Sequence, residues 1–210
     1  MTLQYYLEHF GVGVAAITGV LAARGKRVDL FGVVVLALVT AFGGGTIRDC
    51  TLGSLPVFWV KDPNFIYTAV AAAGFTFLVG RHHEFPQTVL LVADAFALAL
   101  FTMLGLTKAA TFFPSPAIWV TMGVITGVAG GIMRDLLVGE IPLVFRREIY
   151  LYATAALIGS LVYVVLAKWS GAERANLVAG VLVILLLRLA GIRWKLSLPV
   201  FVPHDEINPS

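Results

Sequence analysis

The chain has 210 residues, of which 59% are hydrophobic and only 13% are charged, and its mean hydropathy is +0.91. This composition lies far outside the range of soluble domains and predicts an all-α membrane protein, with room for about seven helices of roughly 20 residues. The net charge of +3 is too small to indicate nucleic-acid binding. Cys50 is the only cysteine, and the sequence contains no metal-binding or Walker-type motif, so neither a metal nor a cofactor is predicted.

Seven apolar spans follow one another along the chain, separated by short polar connectors. Connectors this short force neighbouring helices to run antiparallel. The predicted spans cover residues 7–23, 29–53, 64–80, 88–106, 116–137, 147–168 and 176–193. The polar segment 196–210 contains three prolines and is expected to form a poorly ordered tail.

Lysine and arginine are distributed unequally between the two sides of this predicted bundle. Ten lie on the side of the first, third and fifth connectors and the C-terminus, against five on the other side. Because positively charged residues favour the cytoplasmic side, we expect the N-terminus outside and the C-terminus in the cytoplasm. Lys108 is expected to mark an interfacial helix end, and Arg188 is expected to extend its charge to the membrane surface.

A glycine-rich segment that ends in Arg-Asp occurs twice, 86 residues apart. The sequence GGTIRD at 44–49 returns as GGIMRD at 130–135, and a glycine and a proline follow each copy at the same spacing. The same offset relates further pairs, which are Glu8 with Asp94 and Thr40 with Thr126. The chain therefore contains an internal repeat that is much longer than the glycine motif.

Each repeat unit contains three spans, and this odd number places the second copy upside down in the membrane. The sequence thus predicts seven transmembrane helices, built from two inverted three-helix repeats plus one extra helix. The predicted units are residues 1–83, 84–168, 169–195 for the seventh helix and 196–210 for the tail.

The repeated glycines lie about midway along the second and fifth spans. They are Gly43, Gly44 and Gly45 in the first copy and, after Ala129, Gly130 and Gly131 in the second. Each glycine costs a helix interior about 1 kcal/mol relative to alanine, so such clusters favour a kink or a break. The alternative is close packing of helices through small residues. The motif therefore marks either a wet region of the bundle or a place where backbones touch.

Two Arg-Asp pairs, Arg48-Asp49 and Arg134-Asp135, share a helix face with these glycines. An ionised residue at mid-membrane costs about 2.5–3.5 kcal/mol on insertion scales, and pairing offsets only part of that cost. A structural salt bridge near each helix end is one interpretation of the pairs. We favour a polar path through the bundle, in which the pairs act as gates.

Three further polar residues are candidates for this path. Thr40 and Thr126 precede the two glycine clusters at equivalent positions. Asp94 either lines the path or caps the start of the fourth helix, and the sequence does not separate these two roles.

Residues 8–168 resemble the trimeric intracellular cation (TRIC) channel family, in its prokaryotic branch. The segments that carry the resemblance are AFGGGTIRD at 41–49 with Gly53, Pro56, Trp59 and Asp62-Pro63, and GGIMRD at 130–135 with GEIP at 139–142 and Ile149-Tyr150. Members of that family are homotrimers with a separate pore through each protomer, and the glycine-kinked second and fifth helices meet at the pore centre. The second motif departs from the first at Ala129, so its kink is expected to be milder.

The resemblance implies a channel for potassium, sodium and other monovalent cations in the inner membrane of a prokaryote. The competing hypothesis is a secondary transporter of a small zwitterion such as glycine, because broken helices in inverted repeats are also typical of transporters. A scaffold has no need of embedded Arg-Asp pairs. The sequence contains no Ser/His, Cys/His or metal constellation, so the chain is not expected to be an enzyme.

Overall fold

A computed structural model describes residues 3–146 and 151–195, and all regular structure in these ranges is helical. Seven long helices, numbered here in chain order, are α1 (Leu3–Ala22), α2 (Leu30–Thr51), α3 (Asn64–Gly80), α4 (Gln87–Phe112), α5 (Pro116–Leu137), α6 (Tyr152–Trp169) and α7 (Glu173–Trp194). Two short helical turns, Phe58–Lys61 and Leu143–Phe145, follow α2 and α5 at comparable places in the two repeats.

The predicted spans correspond one to one with the long helices. Within the described residues, six helices are long and apolar enough to cross a membrane, and the remaining one, α3, is apolar but has 17 residues. Helix α4 extends six residues past its predicted end at 106, which places Lys108 inside the helix. The predicted start of the sixth span, the Ile149-Tyr150 pair and the tail lie outside the described residues.

Helices α2 and α5 run antiparallel and touch through their glycines at the centre of the bundle. A Cβ placed on Gly44 would overlap the carbonyl oxygen of Thr126, and a Cβ placed on Gly130 would overlap that of Thr40. These contacts exchange under the 86-residue offset, as expected for two halves related by a two-fold axis. The bounds of α2 and α5 also differ by 86 at both ends. The two repeats are therefore inverted, as predicted.

Neither helix is interrupted at its glycines, so of the predicted kink or break the break is wrong. Regular α-helix continues through residues 43–45 of α2 and 129–131 of α5. The glycines instead allow atoms of the neighbouring helix to approach closely. At Gly43, for example, an added Cβ would lie only 2.6 Å from Met133 Sδ. The structure supports the backbone-contact interpretation of the motif.

Both central helices end in the same way. The glycine four residues after each aspartate, Gly53 or Gly139, has a positive φ of 68° or 72°, a conformation that glycine adopts without strain. The amide of the following residue then donates to the carbonyl oxygen of Asp49 or Asp135, at 2.8 and 2.9 Å. This arrangement satisfies carbonyl groups that a helix end leaves open, and it directs the chain back along the bundle.

The first, third and fifth connectors lie on one side of the bundle and contact each other. Arg24 donates to the carbonyl oxygen of Phe85 at 2.5 Å and pairs with Glu84 at 3.3 Å. Lys26 pairs with Glu140 at 2.5 Å. These contacts join the two repeats at one end, as alternating antiparallel helices require.

Helix α7 stands outside the two-fold symmetry and packs against the second repeat. A Cβ on Gly159 of α6 would overlap the side chain of Ile184, and a Cβ on Gly180 of α7 would overlap that of Met103 in α4. Small residues thus bring α7 close enough to the repeat for its side chains to reach the polar interior.

Candidate functional site

The crossing of α2 and α5 is lined by threonines that offer acceptor oxygens. Thr40 donates its hydroxyl proton to the carbonyl of Leu36, and Thr126 donates to that of Met122, both at 2.6 Å. Each hydroxyl oxygen therefore keeps lone pairs that can accept from water or face a cation. A Cβ on Gly105 would lie 2.5 Å from Thr126 Oγ1, so the absence of a side chain at Gly105 leaves room for the threonine.

A small cavity remains at this crossing. Its volume is about 10 Å³, and Thr18, Thr40, Thr126, Asp94 and Arg134 are among the residues that line it. A volume of this size barely accommodates one water molecule. The centre of the bundle is therefore polar but closed.

One charged group, the first charge cluster, consists of Arg48, Asp49, Lys108 and Glu8. Asp49 Oδ1 accepts from Arg48 Nε at 2.7 Å and from Lys108 Nζ at 2.6 Å. The other oxygen of Asp49 accepts from the backbone amide of Phe58 at 2.9 Å. Glu8 lies within electrostatic range of these three side chains. Asp49 is fully buried, and its hydrogen bonds offset the cost of that burial.

The second charge cluster consists of Arg134, Asp135, Asp94 and Arg188. Arg134 donates through Nε to Asp135 Oδ1 at 2.8 Å and through Nη1 to Asp94 Oδ1 at 2.9 Å. The other oxygen of Asp135 accepts from the backbone amide of Leu143 at 2.8 Å. Each Arg-Asp pair therefore receives the same support from the short helical turn that follows it.

Asp94 lies two turns inside α4 and is buried. Its Oδ1 also receives the hydroxyl of Tyr152 at 3.3 Å, and its Oδ2 faces Arg188 Nη2 at 3.7 Å. A residue so far from the helix start does not cap it. Of the two roles left open by the sequence, this position fits a residue beside the central cavity.

The two charge clusters lie on opposite sides of the glycine crossing. Because Gly44 lies beside Thr126 and Gly130 beside Thr40, Arg48 and Arg134 are separated by about 18 Å along the helix pair, at a rise of about 1.5 Å per residue. The closed cavity therefore sits between two buried ionic groups.

The second charge cluster borders a wide polar mouth. A cavity of about 510 Å³ opens between the first, third and fifth connectors, and its lining includes Asp135, Arg24, Lys26, Glu140 and Arg146. The hydrogen bond from Lys26 lowers the pKa of Glu140 below its ordinary value. This mouth brings solvent to within reach of Asp135.

The central cavity is lined by eight of the sequence-predicted site residues, which are Thr40, Gly44, Gly45, Asp94, Thr126, Gly130, Gly131 and Arg134. Arg48, Asp49 and Asp135 lie in the charge clusters on either side of it. Gly43 and Ala129 do not line the cavity, and Gly43 faces Met133.

The structure also adds residues that the sequence did not indicate. Lys108 binds Asp49, a partner that the sequence did not indicate. The expectation for Arg188 is wrong, because its side chain is 0% exposed and stacks 4.6 Å from the centre of the Tyr152 ring. For both Lys108 and Arg188, the signal that the sequence offered was a single charged residue within an apolar helix.

Fold and site together define a helical membrane protein of the inverted-repeat class, with ionic groups on both sides of a polar centre. A family model described as "Glycine transporter" matches residues 5–81 and 91–168, two stretches whose starts are 86 residues apart. The chain is 48% identical over 207 residues to the UPF0126 inner membrane protein YadS of Escherichia coli K12, covering 97% of this chain and 99% of that protein. It is 45% identical over 201 residues to a UPF0126 membrane protein of Vibrio cholerae, covering 95% and 83%.

The fold is similar to a crystal structure of the TRIC trimeric intracellular cation channel orthologue from Rhodobacter sphaeroides. The TM-score is 0.87, the sequence identity is 40%, and the match covers 93% of this chain and 100% of that chain. The chain therefore belongs to the family of these bacterial membrane proteins, the prokaryotic branch of the TRIC channel family.

Proposed function

We propose that this protein is a channel for potassium and sodium ions, with a pore through each protomer along the crossing of α2 and α5. The observation that carries the proposal is the threonine-lined cavity at the glycine contact, bracketed by two buried ionic groups. The relationship to a cation channel orthologue at 40% identity supports the same function.

The residues along this path suit a monovalent cation. Threonine oxygens and the carboxylates of Asp49, Asp94 and Asp135 replace part of an ion's hydration shell, whereas Arg48 and Arg134 limit how many cations enter. No group of three or more His, Cys, Asp or Glu side chains in residues 3–146 and 151–195 is arranged to hold a metal ion. We assign this path to weak, rapid passage of ions.

The closed centre represents a non-conducting state in this proposal. Ions pass when α2 and α5 separate at Gly44 and Gly130, and the two charge clusters rearrange as the gates. Since each cluster ties its Arg-Asp pair to α4, movement of α4 is coupled to both gates.

The proposed assembly is a homotrimer in the prokaryotic inner membrane, in keeping with the trimeric and inner-membrane relatives. The excess of basic residues on the connectors that carry Arg24, Lys26 and Arg146 favours a cytoplasmic location for the 510 Å³ mouth. On this basis the N-terminus is outside and the C-terminus inside. The functional units are residues 1–83, 84–168 and 169–195, with 196–210 as a tail.

Single-channel recording from purified protein in planar bilayers tests the proposal. We expect unitary currents whose reversal potential in a KCl gradient follows potassium. Absence of unitary current over a wide voltage range, with protein shown to be folded and inserted, would falsify the channel hypothesis.

A second candidate function is secondary transport of a small zwitterion such as glycine. The match to the family model described as "Glycine transporter" favours it. Uptake of radiolabelled glycine into proteoliposomes distinguishes the two functions. Saturable uptake without unitary currents supports the transporter, and currents without uptake support the channel.

A further inference from the structure

The two charge clusters have the same composition but obtain their second cation from different places. Each contains two acids and two bases, and the repeat relates three members of one cluster to three of the other. The fourth members, Lys108 and Arg188, are not related by the offset, since Trp194 stands 86 residues after Lys108. Thus the second cluster reaches charge balance only because α7, outside the repeats, supplies Arg188.

Arg188 acts on the central cavity through Asp94. Its guanidinium is fully buried, lies 3.7 Å from Asp94 Oδ2 and packs on the Tyr152 ring, whose hydroxyl donates to the other oxygen of Asp94. Asp94 borders the cavity, whereas Arg188 is absent from the residues that line it. Arg188 therefore sits behind the carboxylate, on the side away from the cavity.

We infer that Arg188 is a positioning residue that sets the charge of the ion path, a role that rests on the proposed channel function. It balances Asp94, so that the second charge cluster presents no net charge to a passing ion. Without Arg188, the cluster carries one net negative charge beside a narrow, weakly screened cavity. Such a charge concentrates cations and excludes anions.

Recordings of Arg188→Met, with Arg193→Met as the matched control, test this role. Arg193 lies in the last turn of the same helix and is exposed. We expect Arg188→Met to raise the ratio of unitary conductance at about 0.05 M KCl to that at about 1 M KCl by about twofold or more, because salt screens the added charge. The Arg188→Lys variant keeps the charge balance and should show the wild-type ratio.

The conductance ratio distinguishes an electrostatic role of Arg188 from a merely structural role. If folded Arg188→Met channels keep the wild-type conductance ratio, the inference is overturned. If Arg188→Met does not fold, Arg188→Gln replaces it, because it removes the same charge but keeps an amide that can donate to Asp94. A raised ratio then supports the inference, and an unchanged ratio overturns it.

Thermal unfolding distinguishes failure of this inference from failure of the channel proposal. The double variant Asp94→Asn/Arg188→Met should unfold at a higher temperature than Arg188→Met, because it does not leave Asp94 charged without Arg188. If the wild-type protein carries no current, the channel proposal fails and the ion-path role of Arg188 fails with it, whereas this comparison still tests the pairing of Arg188 with Asp94. Equal unfolding temperatures of the single and double variants would overturn it.

Discussion

Gly44→Ala tests whether the glycine contact holds the closed state. The added Cβ would overlap the carbonyl oxygen of Thr126, so α2 and α5 must separate locally. Overpacking of this kind costs about 1–3 kcal/mol, whereas alanine gains about 1 kcal/mol in helix propensity over glycine. The net cost to the closed contact is therefore up to about 2 kcal/mol.

That cost acts on gating if the conducting state separates the two helices. A state in which the contact is already open escapes the overlap and keeps the propensity gain. The propensity gain is common to both states, so the differential free energy is the overlap cost of about 1–3 kcal/mol. Each 1.4 kcal/mol changes an equilibrium about tenfold, so the open-to-closed ratio of Gly44→Ala should rise by about five- to 140-fold. Gly130→Ala, which meets Thr40 in the equivalent way, should have the same effect.

The measurements are open probability in bilayers and thermal unfolding in detergent. Gly74→Ala in α3 is the control, because a Cβ at that position meets no atom within 4 Å. It should gain stability from helix propensity and leave open probability unchanged. If Gly44→Ala matches this control in both measurements, the contact does not hold the channel closed, and the reasoning is refuted.

Three further variants address the ionic groups. Lys108→Met leaves Asp49 with one cationic partner and, since the lysine side chain is 20% exposed, should cost roughly 1–3 kcal/mol in unfolding free energy; an unchanged unfolding temperature would contradict the ion pair. Asp135→Asn breaks a deeply buried pair and should cost about 3–5 kcal/mol, and a cost no larger than that of Lys108→Met would show that burial does not set the ranking. Because Lys26 lowers the pKa of Glu140, the Glu140–Lys26 pair stabilises the protein above the unfolded pKa of about 4.3 and loses this effect as pH falls through the lower folded pKa. Glu140→Gln should therefore be less stable than wild type at pH 7 and equally stable at about pH 2, and a constant difference across that range would exclude the linkage.

The fold was predictable because hydropathy and an 86-residue repeat are both properties of sequence. Span lengths locate the helices, and the odd number of spans per repeat requires inversion. The break at the glycines was wrong because helix propensity does not include tertiary contact. At Gly44 the backbone of a neighbouring helix occupies the space where a side chain would lie. This contact stabilises a continuous helix and does not interrupt it.

The site was predictable only where the repeat extended to it. Arg48 and Arg134 can be identified from the sequence because the 86-residue offset relates them, and the same offset relates Asp49 to Asp135. Lys108 and Arg188 have no equivalent, and their partners are 59 and 94 residues away, in contacts that no local spacing encodes. Their positions depend on how α4 and α7 pack, which is a property of the assembled bundle.

The paired contacts of Gly44 with Thr126 and Gly130 with Thr40 are those of an isologous interface, in which one surface binds a copy of itself. In an ordinary dimer the two copies must stay identical. Here both copies lie on one chain, so each is free to change alone while the shared surface is kept. Because the connector between α3 and α4 joins the two copies, the symmetric contact can have different residues on its two sides. The first charge cluster contains Lys108, and the second contains the buried Arg188.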